Sequence, residues 1–161
     1  TITDRFSKIG SEPVLEKRDI VEDTKNTVDY LQTRVSQQVN FNFEAPQHPI
    51  LVEINPALHS WTIENLVKNA IDAMKGKGSL NIGISELEDI VKISITDSGK
   101  GIPKNQFTKV FEPGFTTKKR GWGLGLSLTK RIVQEYHKGK IKVAHSEIGK
   151  GTTMQISYKT A

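Results

Sequence analysis

The chain contains no cysteine, which excludes disulfides, thiolate metal centres and cysteine nucleophiles. No apolar run approaches the ~20 residues that span a bilayer, and no signal-peptide pattern opens the sequence. No glycine-rich loop ends in Gly-Lys-Ser/Thr, so the Walker phosphate loop is excluded. No internal repeat or low-complexity tract is visible either. What is present fits one folded core: 161 residues, 35% hydrophobic and 25% charged, are enough for one domain and short for two. The formal net charge of +5 invites a nucleic-acid reading. Much of the excess, however, gathers in one loop (Lys118, Lys119, Arg120) and one helix with its exit (Lys130, Arg131, Lys138, Lys140). We therefore expect no nucleic-acid partner.

Hydrophobic spacing predicts the elements. Ile2, Phe6 and Ile9 suggest the end of a helix, broken at Gly10-Ser-Glu-Pro13. Asp19 is a good N-cap for a helix with Val21, Thr24, Val28, Leu31 and Val35 on one face. Val39, Phe41 and Phe43 alternate as a strand, and β-branched residues fill 50–54 as another. Pro56 opens a helix to about Met74, with Ile63, Leu66, Val67, Ala70 and Ile71 as its apolar stripe. Strands follow around Leu80–Ile84 and over 91–97, then a long loop over 99–123. A helix over 124–137, closed by Gly139, and strands over 140–146 and 152–158 complete the chain. Short turns between the last strands predict an α/β fold, a two-layer sandwich whose mixed, mostly antiparallel sheet has helices on one face.

The most informative run is Asp97-Ser-Gly-Lys-Gly-Ile-Pro103. Asp97 falls in phase with Val91, Ile93 and Ile95, so its carboxylate should face the core, where an unpartnered charge costs several kcal/mol. Gly99 and Gly101 permit a turn at positive φ and close approach by a flat ligand. An amine on a planar heterocycle would satisfy all of this. Thr152, in the Gly149-Lys-Gly-Thr-Thr153 turn, is in phase with Met154, Ile156 and Tyr158 and should also face inward, although an ordinary hairpin turn reads the same way.

Asn65, Asn69 and Asp72 project from one side of the 56–74 helix at about 100° per residue. Asparagine is a mediocre helix former, so this is either a solvated face or a set of amide oxygens for a hard cation. Gly121, Gly123 and Gly125 sit at the start of the 124–137 helix, where free backbone N–H groups attract phosphate. No strand immediately precedes them, which excludes a Rossmann turn. Between the glycine clusters, Phe107 and Phe111 could anchor a lid, with Thr116, Thr117 and Lys118 to Arg120 reaching phosphates.

The order of these parts resembles the catalytic ATP-binding domain of sensor histidine kinases, in the superfamily shared with DNA gyrase, MutL and heat-shock chaperone ATPases. Asn65 to Asn69 looks like its asparagine box and Phe107 to Phe111 its phenylalanine box. Asp97 to Gly101, Gly121 to Gly125 and Gly149 to Thr152 look like its three glycine boxes. The resemblance covers roughly residues 15 to 159 and implies the Bergerat ATP-binding fold.

It further implies that the cofactors are ATP and Mg²⁺, with Asn69 the metal ligand. Asp97 would accept the adenine amine with a water shared with Thr152, and Gly99 and Gly101 would let the ring lie against the backbone beside Ile102. Gly121, Gly123, Leu124 and Gly125 would meet the phosphates, with Thr117 and Lys118 from the lid and Asn65, Lys68 and Asp72 in support. The γ-phosphoryl group would pass to a histidine on a separate dimerisation and phosphoacceptor domain, and thence to a response regulator receiver domain. The full-length protein would be a homodimer, with this part a cytoplasmic domain whose parent can be a membrane-bound sensor. Residues 1–12 resemble the end of the helical hairpin, which leaves 13–161 as the catalytic domain.

Three departures bear on the reaction. Asn65 is an amide where the related ATPases carry a glutamate that activates water, although Glu64 is adjacent. Gly114 stands where many relatives have phenylalanine. His48, His59, His137 and His145 precede Pro, Ser, Lys and Ser rather than an acid, so we read all four as surface or packing residues. The alternative readings are an ATPase of the chaperone or mismatch-repair type and a non-catalytic nucleotide-sensing module.

Overall fold

The computed structural model describes residues 13–35, 37–114 and 125–161, and the structural statements below concern those residues. Five strands form the main sheet: β2 (Val39–Glu44), β4 (Gly78–Leu87), β5 (Ile90–Asp97), β6 (Lys140–Glu147) and β7 (Gly151–Lys159), in the order β2-β4-β5-β7-β6. β2 runs parallel to β4, and every other pairing is antiparallel. The sheet is mixed and mostly antiparallel, as the short turns predict.

One face of the sheet is buried. Leu80, Ile82, Val91, Ile93, Ile95, Ile156 and Tyr158 point into it, each at most 1% exposed. The opposite face carries Lys92, Ser94, Thr96, Gln155 and Ser157 between them. Burying each large aliphatic side chain is worth about 1.5–3 kcal/mol, so alternation alone fixes which face receives the helices. Helix α1 (Ile20–Gln32) packs on α2 (Pro56–Ala73), and α2 lies on β4, β5 and β7. Asn55 caps α2 by accepting from the Leu58 N–H at 3.0 Å, with proline in the first turn.

The structure departs from the sequence reading in three places. Residues 50–54 do not join the main sheet: β3 (Leu51–Ile54) pairs antiparallel with β1 (Glu16–Asp19) in a sheet of their own. Asp19 ties this small sheet to α1, its Oδ1 accepting from the Val21 and Ile50 N–H groups at 3.1 Å each. Helix α1 stops at Gln32, short of Val35. Of the helix expected over 124–137, the described residues are α-helical over Gly125–Arg131 (α3) and widen into a π turn over Ile132–Tyr136. There the His137 N–H donates to the Ile132 carbonyl and the Gly139 N–H to Val133. No helix of the described residues is long and apolar enough to cross a membrane.

Candidate functional site

Strand β5 delivers Asp97 where its phase requires. The residue is 7% exposed, directly opposite Thr152 of β7, which is 5% exposed. Asp97 Oδ1 accepts from the Gly99 N–H at 2.8 Å. Burial pushes the Asp97 carboxyl above the ordinary carboxylate range, and the backbone N–H groups of Gly99 and Thr152 oppose that rise.

The turn after Asp97 is held between two other elements. Gly99 lies so close to the end of α2 that a Cβ would sit 2.6 Å from the Ala73 carbonyl carbon. The Lys100 N–H donates to that same carbonyl oxygen at 3.1 Å. Gly101, at φ +81°, adopts a backbone that L side chains rarely take, and a Cβ there would strike the Glu147 carbonyl. The Gly149 N–H donates to the Lys100 carbonyl at 2.8 Å. These glycines thus let the chain approach itself, which fixes the turn against α2 on one side and the β6–β7 turn on the other. Ile102, half-buried, packs on the core beside them.

Half-way along α2 a second contact forms. Asn65 Nδ2 donates to Thr129 Oγ1 of α3 at 2.8 Å, and Thr129 Oγ1 donates to the Gly125 carbonyl at 2.7 Å. A Cβ on Gly125 would lie 2.9 Å from Asn65 Oδ1, so the first residue of α3 is seated on the asparagine. Asn69 is half-buried and Asp72 exposed on the same helix. Lys68 pairs with Glu64 at 3.0 Å across one helical turn. Among the described residues no group of three or more His, Cys, Asp or Glu could hold a metal ion. Thr116, Thr117, Lys118 to Arg120, Gly121, Gly123 and Leu124 lie outside the described residues, as do residues 1–12, whereas the expected lid anchors are described: Phe111 is buried in the core and Phe107 packs against it.

Helix α2 therefore joins an acid-and-glycine turn at its C-terminal end to an asparagine seated on a glycine-led helix. Residues 58–161 match the family described as histidine kinase-, DNA gyrase B-, and HSP90-like ATPase. The chain belongs to this ATPase family. It is 40% identical over 121 residues to sensor histidine kinase ZraS of Escherichia coli (strain K12), covering 75% of this chain and 26% of that protein. The chain thus spans about a quarter of that relative's length. Among solved structures, the nucleotide-free catalytic domain of histidine kinase ThkA superposes with a TM-score of 0.80 at 27% identity. That match covers 90% of this chain and 95% of that one. ThkA has also been solved with the response regulator protein TrrA, a match with TM-score 0.79 at 26% identity over 91% of this chain and 42% of that one.

Within this candidate site, Ser146 and Thr129 escape a sequence reading. Ile141 and Val143 of β6 face the core, and strict alternation would send His145 inward and Ser146 outward. A β-bulge between Val143 and His145 shifts the register, so Ser146 pairs with Thr152 and turns to its side of the sheet. Thr129 gives no signal beyond its polarity among apolar helix neighbours. Of the histidines, His59 and His137 are buried packing residues, while His48 and His145 are exposed.

Proposed function

We propose that residues 13–161 bind Mg-ATP and donate its γ-phosphoryl group to a histidine on a separate dimerisation and phosphoacceptor domain. The chain would then be the catalytic part of a sensor histidine kinase. The observation that carries this reading is the buried Asp97, its carboxylate held open by a glycine turn that rests on the helix bearing Asn65 and Asn69. From Asn65 to Ala73 that helix rises about 12 Å, a span that suits a nucleoside triphosphate lying along it.

Asp97 receives the purine amine and rejects a carbonyl at the same place, because two facing acceptors leave one unpaired at a cost of ~1–3 kcal/mol. Gly99, Gly101 and Ile102 shape the turn around the ring. Asn65 keeps the start of α3 against α2, so that the segment of Gly121, Gly123 and Leu124 meets the phosphates, with Thr117 and Lys118 closing over them. Asn69 supplies an amide oxygen suited to a hard cation that takes its other ligands from phosphate and water. Magnesium, when bound, neutralises phosphate charge. With no group of three or more His, Cys, Asp or Glu among the described residues to hold a metal, the ion would be held together with the nucleotide.

Phosphoryl transfer asks mainly for such positioning and charge neutralisation. Asn65 cannot act as a general base, and Glu64 is engaged with Lys68, so hydrolysis is the less supported outcome. The base would come with the acceptor histidine, which none of the four histidines here supplies. Residues 1–12 would be the end of the acceptor hairpin, in a homodimeric parent whose phosphohistidine passes to a response regulator.

Calorimetric titration with ATP, with and without Mg²⁺, followed by phosphate transfer to a supplied hairpin domain, tests the proposal. Asn69→Asp is expected to alter the metal dependence and Asp97→Asn to weaken ATP binding by at least about tenfold. Unchanged affinity and transfer in both variants would refute it.

A further inference from the structure

Ser146 Oγ has three neighbours whose hydrogen-bonding roles can be counted. The Ile102 N–H donates to it at 2.7 Å, it donates to the Gly151 carbonyl at 3.0 Å, and Thr152 Oγ1 lies 2.7 Å away. A serine hydroxyl has one proton and two lone pairs. A carbonyl can only accept, so the serine proton is committed to Gly151. An amide N–H can only donate, so one lone pair is committed to Ile102. The remaining lone pair faces Thr152, whose hydroxyl must therefore donate its own proton to Ser146.

Thr152 Oγ1 is left with lone pairs alone. Asp97, opposite it in the strand register, is acceptor-only when charged, and its Oδ1 already accepts from Gly99. Every side-chain atom that this pair can offer a ligand is thus an acceptor. We propose that Ser146 is a positioning residue that sharpens the specificity set by Asp97: by fixing the Thr152 proton it leaves the Asp97–Thr152 pair all-acceptor, so that the pair favours an amino group over a ring carbonyl. The inference rests on the nucleotide reading above and extends it from Asp97 alone to a proton assignment two strands away. Ser146 acts through Thr152, as a positioning residue, and ties the end of β6 to two other segments, the turn after β5 and the start of β7.

The test compares ATP with inosine triphosphate, which carries a carbonyl in place of the amine, by titration of the full 161-residue chain. In Ser146→Ala the Thr152 hydroxyl is free to donate, and the preference for ATP over inosine triphosphate is expected to fall by about fivefold, the worth of one hydrogen bond. Ser146→Thr, which keeps the hydroxyl, is expected to restore the preference. A merely structural role would weaken both nucleotides alike and leave their ratio unchanged, and that result overturns the proposal. If the unaltered chain binds neither nucleotide, the nucleotide reading itself fails. If it binds ATP selectively and Ser146→Ala keeps that selectivity, only the Ser146 inference fails. Should Ser146→Ala not fold, hydroxyl-proton NMR of the unaltered chain decides. A Thr152 hydroxyl proton close to the Ser146 Hβ atoms supports the assignment, and a Ser146 hydroxyl proton directed at Thr152 overturns it.

Discussion

The two ends of α2 both bury polar groups, and they do so in opposite ways. At the N-terminal end, His59 Nε2 lies 2.8 Å from Thr24 Oγ1, and His137 Nε2 accepts from the Asn55 N–H at 3.1 Å. Both rings stand edge-on to Tyr158, at centroid distances of 6.3 and 5.8 Å. His59 Nδ1, His137 Nδ1 and the Tyr158 hydroxyl have no hydrogen-bond partner among the described residues. At the C-terminal end, Asp97 accepts from backbone N–H groups, and two glycine-bearing turns, 99–101 and 149–151, meet beside it. The first cluster is sealed among apolar neighbours; the second is gathered from loops. Burial of a titratable group is therefore not what marks a site. The candidate site differs in holding a charged group on backbone donors where loops converge, with no cation among the described residues to neutralise it.

The sharpest way to break this contrast is Asp97→Asn. It removes a charge that burial disfavours and keeps an oxygen for the Gly99 N–H, so we expect ATP affinity to drop by at least about tenfold with no loss of melting temperature. A matching loss of stability would make Asp97 structural, like the histidines.

Acid should act next, and mainly at the other end. Burial lowers the pKa of His59 to about 3, assisted by the nearby His137, and lowers that of His137 to about 4. Both bases are neutral in the fold and take up protons on unfolding near pH 6.5. Their share of stability is therefore complete above pH 6.5 and is lost progressively as pH falls towards 4. Asp97 runs the opposite way, since protonation relieves its burial. Denaturant melts between pH 7 and 4 should show declining stability, and His59→Leu should flatten the slope.

A smaller effect is expected for Tyr158→Phe, which deletes a buried hydroxyl without a partner among the described residues. It should raise stability by about 1 kcal/mol and leave nucleotide affinity unchanged, read by thermal melts and titration. Smallest of all is Glu64→Gln. Its surface pair with Lys68 is worth only a few tenths of a kcal/mol, and phosphate release should not change. A marked fall in steady release would instead favour the hydrolase reading.

Much of this was legible beforehand. Asp97 and Thr152 face inward because side chains alternate along a strand, and that rule needs no tertiary knowledge. The α2 stripe was equally plain. What escaped depends on partners distant in sequence. β1 reads Glu-Lys-Arg-Asp, with no alternation, and is a strand only because β3 lies beside it. The bulge that turns Ser146 inward and the acceptance of the Asn65 amide by Thr129 are tertiary facts as well. The glycines read as room for a flat ligand have a different immediate use: at Gly99 and Gly101 the missing side chain makes room for the protein's own backbone.

The π turn has a consequence for how the parts stay in phase. A turn closed from residue 137 back to 132 accommodates one more residue than an α-helical turn between the same end points. Were residues 132–136 wound as a regular α-helix with none removed, His137 would be carried about 100° round the axis, away from the Asn55 N–H that it accepts. The helix that begins at Gly125 would then lose its far anchor on the cap of α2, while the Asn65–Thr129 contact at its near end had no reason to change. One surplus residue thus acts as a shim that keeps two helices aligned at both ends.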